Sequence, residues 1–498
     1  MRFSAFSSAF IYPMTVDYDL VIIGGTQAGR RAAVAAAQLQ ARVALVEPQP
    51  PVKNWLGAGF IHSKALTQVG RVARNIREAS QFGIYLEDDS HHASIRCGEA
   101  WEWASGVVST LEEQQSPAVL ASLGVEVIAG AGEFCRKPHL AFVVNDRHLR
   151  ARAYLIATGS TLSVPEIEGF YTTGATTPAD MWQQPTSQQL SGSWVVIGGN
   201  AVGTELAQTL ARLGVDVTLV VKSEHILAKE DPEAARLIQA QLEAEGVRVL
   251  VQTEVRQVKR IDDKKWVLAG NKALEADEIL LATRQQPNVE TLNLEGVGVK
   301  WNRRGIHLND KLQTTNPRIY ACGDAIGGYQ FAHIADYEAR IALKNALFLP
   351  VFKVDYRGIP RAIFSDPMLA RVGLTEAQSR RRYGKDVLVL REYFKTASRA
   401  VLLGETTGLC KIIVRGNGEI LGASIVGAEA GELIHALALA VRQKLKVGAI
   451  ASLPHISPTL SEVIEKTASG WHQQRLGSNP KLQNFLEALF NWRRTWFS

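Results

Sequence analysis

Residues 17–29 read Asp-Tyr-Asp-Leu-Val-Ile-Ile-Gly-Gly-Thr-Gln-Ala-Gly. The first half is a β-rich apolar run, the second is a glycine-rich turn, and an alanine-rich helical stretch follows over residues 30–39. A second apolar strand over residues 42–47 ends in the carboxylate of Glu47. Strand, glycine-rich turn, helix, strand and acid make up the βαβ unit that binds dinucleotides. We therefore predict an α/β fold with Rossmann-like domains.

The turn of this first unit would hold a pyrophosphate against backbone N–H groups at the positive end of the helix. The residues predicted to form this contact are Gly24, Gly25, Thr26, Ala28 and Gly29. Glu47 would accept hydrogen bonds from the adenosine ribose. Thr26 occupies the middle glycine position of Gly-x-Gly-x-x-Gly, so we expect its side chain to narrow the approach of the ligand.

A second βαβ unit begins with the strand at residues 194–197 and lies 174 residues further along (198 − 24). Its predicted nucleotide-binding residues are Gly198, Asn200, Val202 and Gly203. Asn200 replaces the middle glycine, and we expect the turn to survive because asparagine is the non-glycine residue best able to adopt a positive φ. Two such units predict two nucleotides, which indicates a flavoprotein reductase rather than a simple dehydrogenase.

The next strand, over residues 215–221, ends beside Lys222 rather than in an acid. A carboxylate at this position would bind the 2′-hydroxyl of NADH and repel the 2′-phosphate of NADPH. The lysine therefore favours NADPH, whereas a solvated surface lysine would leave NADH open.

Residues 54–66 read Asn-Trp-Leu-Gly-Ala-Gly-Phe-Ile-His-Ser-Lys-Ala-Leu, a loop that runs into a helix start. Together with the two βαβ units, this stretch resembles the pyridine nucleotide-disulfide oxidoreductases, such as glutathione reductase, dihydrolipoamide dehydrogenase and mercuric reductase. In that family it carries Cys-x-x-x-x-Cys-x-x-x-Lys and holds a redox disulfide against the flavin. Here Trp55 and Phe60 stand at the two cysteine positions, and Lys64 keeps the lysine.

Two further stretches resemble the family's flavin motifs. Residues 153–160 end in Ala-Thr-Gly-Ser, so the resemblance assigns Thr158 and Gly159 to FAD binding. Residues 312–324 end in Tyr-Ala-Cys-Gly-Asp, where the family's aspartate, here Asp324, binds the ribityl chain.

The resemblance covers residues 17–465 and implies a divided domain order. The expected segments are an FAD-binding domain in two parts (14–168 and 290–350), an NAD(P)-binding domain (169–289), an α+β dimerisation domain (351–470) and a C-terminal amphipathic extension (471–498). The expected assembly is a homodimer.

The resemblance also implies what chemistry remains. Lys64 and Glu205 match the pair that lies near the flavin and stabilises charge on it, so the input from NAD(P)H to FAD is expected to be intact. Both redox cysteines are replaced, and Ser457 stands where the family has its acid–base histidine. We expect an FAD-dependent NAD(P)H:acceptor oxidoreductase that is not a disulfide reductase.

The expected acceptor is a quinone, a second nicotinamide or a small electron carrier. Trp55 and Phe60 could stack on a planar acceptor, or could fill the volume of the lost cysteines and bar access. A catalytically silent FAD-binding sensor or scaffold is the alternative, and the altered residues Thr26, Asn200 and Arg284 favour it.

Composition sets the remaining limits. The 498 residues carry a net charge of +6 and 46% hydrophobic residues, typical of a multidomain globular enzyme, and no basic stretch predicts nucleic-acid binding. The four cysteines are widely spaced, which predicts reduced thiols in a cytoplasmic protein and no metal site.

Met14 is an alternative start to Met1. An aromatic and basic helix over residues 480–497 is expected to pack on the dimer or, alternatively, to contact a membrane surface.

Overall fold

The computed structural model describes residues 16–48, 60–85, 95–114, 116–182, 192–477 and 480–496. Their fold is mixed α/β with parallel sheets, as the sequence predicts. The described residues form two compact units. The first comprises those within Met1–Gly57, Ser109–Thr161 and Gln285–Val354, and the second those within Ala58–Val108, Leu162–Arg284 and Asp355–Ser498.

The strands are short and mostly apolar. They are β1 Tyr18–Ile23, β2 Val43–Glu47, β3 Val125–Ala129, β4 Gly132–Cys135, β5 Ala141–Val144, β6 Arg147–Leu149, β7 Ala151–Ile156, β8 Ser160–Leu162, β9 Ser193–Ile197, β10 Asp216–Val220, β11 Arg248–Leu250, β12 Val255–Ile261, β13 Lys264–Ala269, β14 Lys272–Ala276, β15 Glu278–Leu281, β16 Gln285–Pro287, β17 Trp301–Asn302, β18 Gly305–Ile306, β19 Ile319–Ala321, β20 Arg361–Ile363, β21 Met368–Gly373, β22 Val387–Tyr393, β23 Leu409–Arg415 and β24 Ile420–Gly427.

The helices pack on the faces of the sheets. They are α1 Gln27–Gln38, α2 Phe60–Arg77, α3 Cys97–Glu113, α4 Pro117–Ser122, α5 Phe170–Thr173, α6 Pro178–Met181, α7 Ala201–Arg212, α8 Pro232–Ala244, α9 Ala332–Leu347, α10 Glu376–Tyr383, α11 Ser398–Leu402, α12 Ala430–Arg442, α13 Val447–Ala451, α14 Glu462–Gly477 and α15 Pro480–Trp496.

The first unit is built on a parallel sheet with strand order β19-β7-β1-β2-β3. Its central strands are mostly apolar because both faces of the sheet are covered: α1 and α9 pack on one face and strands β4–β6 on the other. Leu20, Ile22, Leu45 and Leu155 are completely buried on one side of this sheet. The carboxyl ends of β1, β2 and β7 meet at one edge, where ligands bind in folds of this type.

The second unit contains a parallel sheet, β11-β10-β9-β15, and an antiparallel sheet, β20-β21-β24-β23-β22. Strands β23 and β24 are buried along almost their whole length, and α12 and α14 pack on the antiparallel sheet. An antiparallel meander of β12, β13 and β14 connects β11 to β15. The α+β character expected for the C-terminal part is present.

The apolar stretch over residues 107–123 is mostly helical, as its composition predicts, and it is divided between two helices. Helix α3 ends at Glu113 and α4 begins at Pro117. Ser116 caps α4 by accepting from Val119 N, and a proline is favoured at the first helical position because it needs no N–H partner there.

Some predicted features fall outside the described residues. Trp55, Met14 and Asn479 lie there, as does the side chain of Phe60, the first residue of α2. In the described part of the chain, no helix combines the length and apolarity needed to cross a bilayer.

Candidate functional site

A cavity in the first unit lies at the edge where β1 and β2 end. Gly24, Gly25 and Thr26 line it together with Glu47 and Thr158. Gly24 adopts φ +111°, and a Cβ there would lie 2.4 Å from the Ala157 carbonyl oxygen. The turn therefore requires glycine at its first position, as the βαβ motif predicts.

Thr26 begins α1 as its N-cap residue. Its hydroxyl accepts from Gly29 N at 3.3 Å and donates to the carbonyl oxygen of Ala157 at 2.9 Å. The side chain is thus tied to the loop that follows β7, although it still lines the cavity. Ala28 and Gly29 are buried in the first turn of the helix.

Glu47 ends β2 as predicted and lies across the turn. Its carboxylate accepts from Arg30 Nε at 2.9 Å, and a Cβ on Gly25 would lie 2.2 Å from Glu47 Oε1. Arg30 also lines the cavity and was missed in the sequence, because only the fold brings the first turn of α1 against the end of β2. The cavity therefore presents both a carboxylate and a guanidinium.

Thr158 follows β7 and lines the same cavity, beside Gly24. Its Oγ1 is buried and has no hydrogen-bond partner among the residues that the structure describes. Gly159 next to it adopts φ +69°. A buried hydroxyl without a partner is costly, so a ligand group at this position would stabilise the protein.

Asp324 is buried in the first unit, just after β19. It accepts from Ser160 Oγ at 2.5 Å, and burial raises its pKa from 3.8 to about 6 although the Ser160 bond opposes the shift. Ser160 directly follows Thr158 and Gly159 in the Ala-Thr-Gly-Ser motif. The motif could therefore have identified Ser160 as a site residue. The carboxylate is suited to accept a hydrogen bond from a ligand hydroxyl.

The second βαβ turn repeats the construction of the first. Gly198 has φ +121°, while Asn200 has φ −81°, so the turn forms without a positive φ at Asn200. Asn200 caps α7 instead: Oδ1 accepts from Gly203 N at 3.0 Å, and Nδ2 donates to the carbonyl oxygen of Thr283 at 2.9 Å. Val202 lies half-buried in the first turn of α7. Gly198, two residues before the cap residue Asn200, supplies the positive φ of the turn.

Lys222 follows β10 as predicted, but it is not the only charge there. Its ammonium donates to Glu254 Oε1 at 2.5 Å, and this bond lowers the pKa of Glu254. Both side chains are exposed, at 77% and 53%. Glu254 is 32 residues away in sequence and was not foreseen. It balances part of the positive charge on which the NADPH preference depends.

Lys64 and Glu205, predicted to pair across 141 residues, form an ion pair where α2 packs on α7. Their side chains are 20% and 6% exposed. Glu205 Oε1 also accepts from Phe364 N at 2.7 Å, and the ammonium of Lys64 lies 4.4 Å from the centre of the Phe364 ring. Phe364 was missed in the sequence because nothing in its local pattern points to the pair.

An aromatic stack lies near the start of α2 in the second unit. The rings of His62 and Trp182 are 5.2 Å apart and those of Trp182 and Trp101 are 4.9 Å apart, both stacked. These residues are far apart in sequence and showed no common pattern, so only the fold reveals them.

Ser457, which the resemblance assigns to the position of the family's histidine, donates to Glu462 Oε1 at 2.7 Å. This bond, with backbone donors from Ser398 at 3.1 Å and Thr459 at 3.2 Å, lowers the pKa of Glu462 to about 2. His455 Nδ1 contacts the carbonyl oxygen of Leu453 at 2.8 Å. The buried glutamate is fully supplied with donors, and a serine hydroxyl does not exchange protons readily near neutral pH.

Comparison with known families settles the chain's membership. The model described as "Pyridine nucleotide-disulphide oxidoreductase" matches residues 18–339, and the model of the dimerisation domain of this family matches residues 359–468. The chain belongs to the pyridine nucleotide-disulphide oxidoreductase family. It is therefore a flavoprotein oxidoreductase of a family that uses FAD and NAD(P)H, and it carries the domain through which members dimerise.

Members of this oxidoreductase family are similar to the chain over most of its length. A mercuric reductase of Staphylococcus aureus is 33% identical over 441 residues, which cover 86% of this chain and 78% of the relative. A dihydrolipoyl dehydrogenase of Bacillus subtilis is 32% identical over 455 residues, covering 90% and 97%.

Solved structures of the family show the same fold. The Cu(II) complex of the HOCl-induced flavoprotein disulfide reductase RclA from Escherichia coli is 27% identical, covers 92% of this chain and 99% of its own, and has a TM-score of 0.79. LpdA from Mycobacterium tuberculosis is 25% identical, covers 91% and 99%, and has a TM-score of 0.81.

The first unit fits the family's FAD. The buried Thr158 hydroxyl without a described partner, the cradle that a Cβ would fill at Gly24 and Gly25, and the buried acceptor Asp324 are the groups that a dinucleotide needs. Arg30 adds a cation to the same cavity, suited to an anionic ligand.

Proposed function

We propose that this protein is an FAD-dependent NAD(P)H:acceptor oxidoreductase whose electrons go directly to a non-disulfide acceptor. The observation that carries the proposal is a contrast. The Lys64–Glu205 pair is assembled and buried, whereas the two cysteine positions hold Trp55 and Phe60 and the histidine position holds Ser457. The part that serves the nicotinamide side is retained, and the thiol relay is absent from the sequence.

The residues of the first unit would bind the cofactor. The turn at residues 24–29 would hold the pyrophosphate with its backbone N–H groups, and Glu47 would accept from the adenosine ribose. Asp324 would accept from a ribityl hydroxyl, and the Thr158 hydroxyl would gain the partner it lacks among the described residues. Bound FAD would supply two-electron chemistry between a nicotinamide and the acceptor.

Lys64 would hold a positive charge at a fixed position. Its ammonium is anchored by Glu205 and by the face of Phe364, so it cannot turn freely into solvent. A preorganised charge stabilises developing negative charge without the cost of reorienting water. Glu205 is itself held by the backbone N–H of Phe364, so both members of the pair are fixed.

In the described segment over residues 453–462, the position that the resemblance assigns to a histidine holds a serine, which is a poor proton donor for a thiol. Ser457 donates a hydrogen bond to Glu462, whose pKa of about 2 keeps it ionised at neutral pH. The pair therefore holds the backbone of the 457–462 segment rather than shuttling protons. This arrangement supports an acceptor that needs no thiolate, and Trp55 and Phe60 offer flat surfaces for a quinone or another nicotinamide.

The silent sensor or scaffold remains the second candidate. The altered glycine positions favour it in sequence, but Thr26 and Asn200 act as helix caps tied to neighbouring loops, which supports retention of both nucleotide turns. The deciding experiment mixes anaerobic protein with NADPH or NADH and follows flavin absorbance. Bleaching supports the enzyme, and a flavin that stays oxidised with both coenzymes contradicts it.

An acceptor screen then tests the non-disulfide assignment. The reduced protein is mixed with a soluble quinone, a nicotinamide analogue and ferricyanide, and in parallel with glutathione disulfide, lipoamide and Hg²⁺. Reoxidation by the first group alone supports the proposal. Turnover with a disulfide or with Hg²⁺, the substrates that the names of its relatives suggest, would overturn it.

The C-terminal helix supports a peripheral membrane contact as a separate proposal. Exposed aromatic side chains on α15 include Phe485, Phe490, Trp492 and Trp496, and Arg493 and Arg494 lie in its last turn. Aromatic and basic residues together favour the interface of an anionic bilayer. Deletion of residues 480–498 should abolish sedimentation with anionic vesicles, whereas unchanged sedimentation would assign the helix to packing on the dimer.

A further inference from the structure

One face of α7 is held against the segment that follows β20. Glu205, Gln208 and Arg212 are spaced three and four residues apart, so they project from the same side of the helix. Gln208 Oε1 accepts from Asp366 N at 2.8 Å and its Nε2 donates to Asp366 O at 2.6 Å. Arg212 Nη1 donates to Asp366 Oδ2 at 2.8 Å. The segment is thus fixed to α7 at Asp366 as well as at Phe364, whose N–H binds Glu205.

The same carboxylate is also bound from α2. Arg74 Nη1 donates to Asp366 Oδ2 at 2.9 Å, so Asp366 joins an arginine of α2 to one of α7. These are the helices that carry Lys64 and Glu205. Burial disfavours the charged form, yet the charges of Arg212 and Arg74 lower the pKa of Asp366 below its usual value. The carboxylate is therefore an ionised link between the two helices.

Phe364 connects Asp366 to the Lys64–Glu205 ion pair. It touches both members, Glu205 through its backbone N–H and Lys64 through its ring, and it lies two residues before Asp366. A shift of the segment by a fraction of an ångström would lengthen the first contact and tilt the second. Small displacements of a charged group in a preorganised site lower rates strongly.

We propose that Asp366 is a positioning residue that sets the geometry of the Lys64–Glu205 pair through Phe364. This inference rests on the proposed function, in which that pair serves the nicotinamide side of the reaction. Asp366 acts through Phe364 and is not itself a catalytic residue.

Asp366 can be substituted without leaving a buried arginine unpaired, because Arg74 and Arg212 both have other carboxylate partners. Arg74 also binds Glu78 and Glu405, and Arg212 also binds Glu245. Asp366→Asn keeps the shape and the backbone bonds to Gln208 but removes the charge that draws the two helices together. The variant should therefore fold, with its buried arginines still paired.

Asp231→Asn is the matched control. Asp231 is another buried carboxylate of the second unit, and it binds Lys411 Nζ at 2.8 Å. It also caps α8, a role that asparagine fills equally well. The control removes a buried ion pair of the same kind without loosening the segment at residues 364–366.

The test combines a crystal structure, the flavin midpoint potential and the anaerobic rate of flavin reduction by NAD(P)H. We expect Asp366→Asn to lengthen the Glu205–Phe364 contact, to shift the potential and to slow reduction about tenfold. Asp231→Asn should leave all three unchanged. In a Glu205→Gln background, Asp366→Asn should have no further effect on the rate.

The outcomes separate the inference from the function on which it rests. If Glu205→Gln slows reduction but Asp366→Asn matches wild type in all three measurements, the positioning role is wrong and the proposed function stands. Equal losses in Asp366→Asn and Asp231→Asn, or a full Asp366→Asn effect in the Glu205→Gln background, would also overturn the positioning role. If Glu205→Gln itself reacts normally, the role of the pair fails and the inference fails with it.

Discussion

Replacement of Asp324 by Asn should stabilise the flavin-free protein at neutral pH while weakening FAD binding. Burial raises the pKa of Asp324 from 3.8 to about 6, so the folded state resists ionisation of this carboxyl. The stability that the protonated form contributes is fully present below pH 3.8 and is lost as the pH rises through 6. A shift of about two units corresponds to about 3 kcal/mol at pH 8.

Asn cannot ionise, so Asp324→Asn escapes this loss. The free energy of unfolding of the variant minus that of wild type should rise by about 3 kcal/mol between pH 3 and pH 8, with about half of the rise complete near pH 5. Urea titrations of the flavin-free proteins across this range, followed by tryptophan fluorescence, measure the difference. Any constant effect of the substitution cancels, because only the pH dependence is compared.

Ser160→Ala provides the companion variant. It removes the donor that holds the pKa of Asp324 down, so it should enlarge the loss of stability toward high pH. FAD should bind Asp324→Asn about tenfold more weakly, since hydrogen bonds to a charged acceptor are stronger than those to an amide. A pH-independent difference between Asp324→Asn and wild type would refute the reasoning, because it would show that the carboxyl titrates normally.

Three further predictions follow from other contacts. Thr26→Ala should lower the free energy of unfolding by about 1 kcal/mol, through loss of the cap and of the bond to the Ala157 carbonyl, and equal urea midpoints would contradict this. Lys222→Glu should lower the ratio of kcat/KM for NADPH to that for NADH about tenfold, since the new carboxylate joins Glu254, and an unchanged ratio would remove Lys222 from coenzyme selection. Lys64→Met should slow anaerobic flavin reduction about a hundredfold in stopped-flow measurements made at a temperature where circular dichroism shows the variant folded, and a wild-type rate would dismiss the charge role.

The fold could be predicted from sequence because its signals are local. Each βαβ unit places its strand, turn and helix within about thirty residues, the usual span of such a unit, and hydrophobic periodicity marks the elements clearly. The Lys64–Glu205 pair was also predicted, although only through the resemblance to a family, since the two residues are 141 positions apart.

Other features depended on contacts that no local pattern contains. The turn at Asn200 was expected to survive because asparagine tolerates a positive φ, but Gly198 takes that conformation and Asn200 caps α7 instead. Glu254 and Phe364 reach Lys222 and Glu205 from distant segments, so their roles could be seen only in the folded chain. The partners of ionised side chains are thus the least predictable part of the site.

The electron count of the flavoprotein tests the central claim most directly. A flavin accepts two electrons, and a redox-active disulfide beside it would accept two more. Anaerobic titration with NADPH or NADH should therefore bleach the flavin completely at one equivalent per FAD, and no new free thiols should appear. Uptake of a second equivalent, with two thiols gained per chain, would show a sulfur relay and contradict the account.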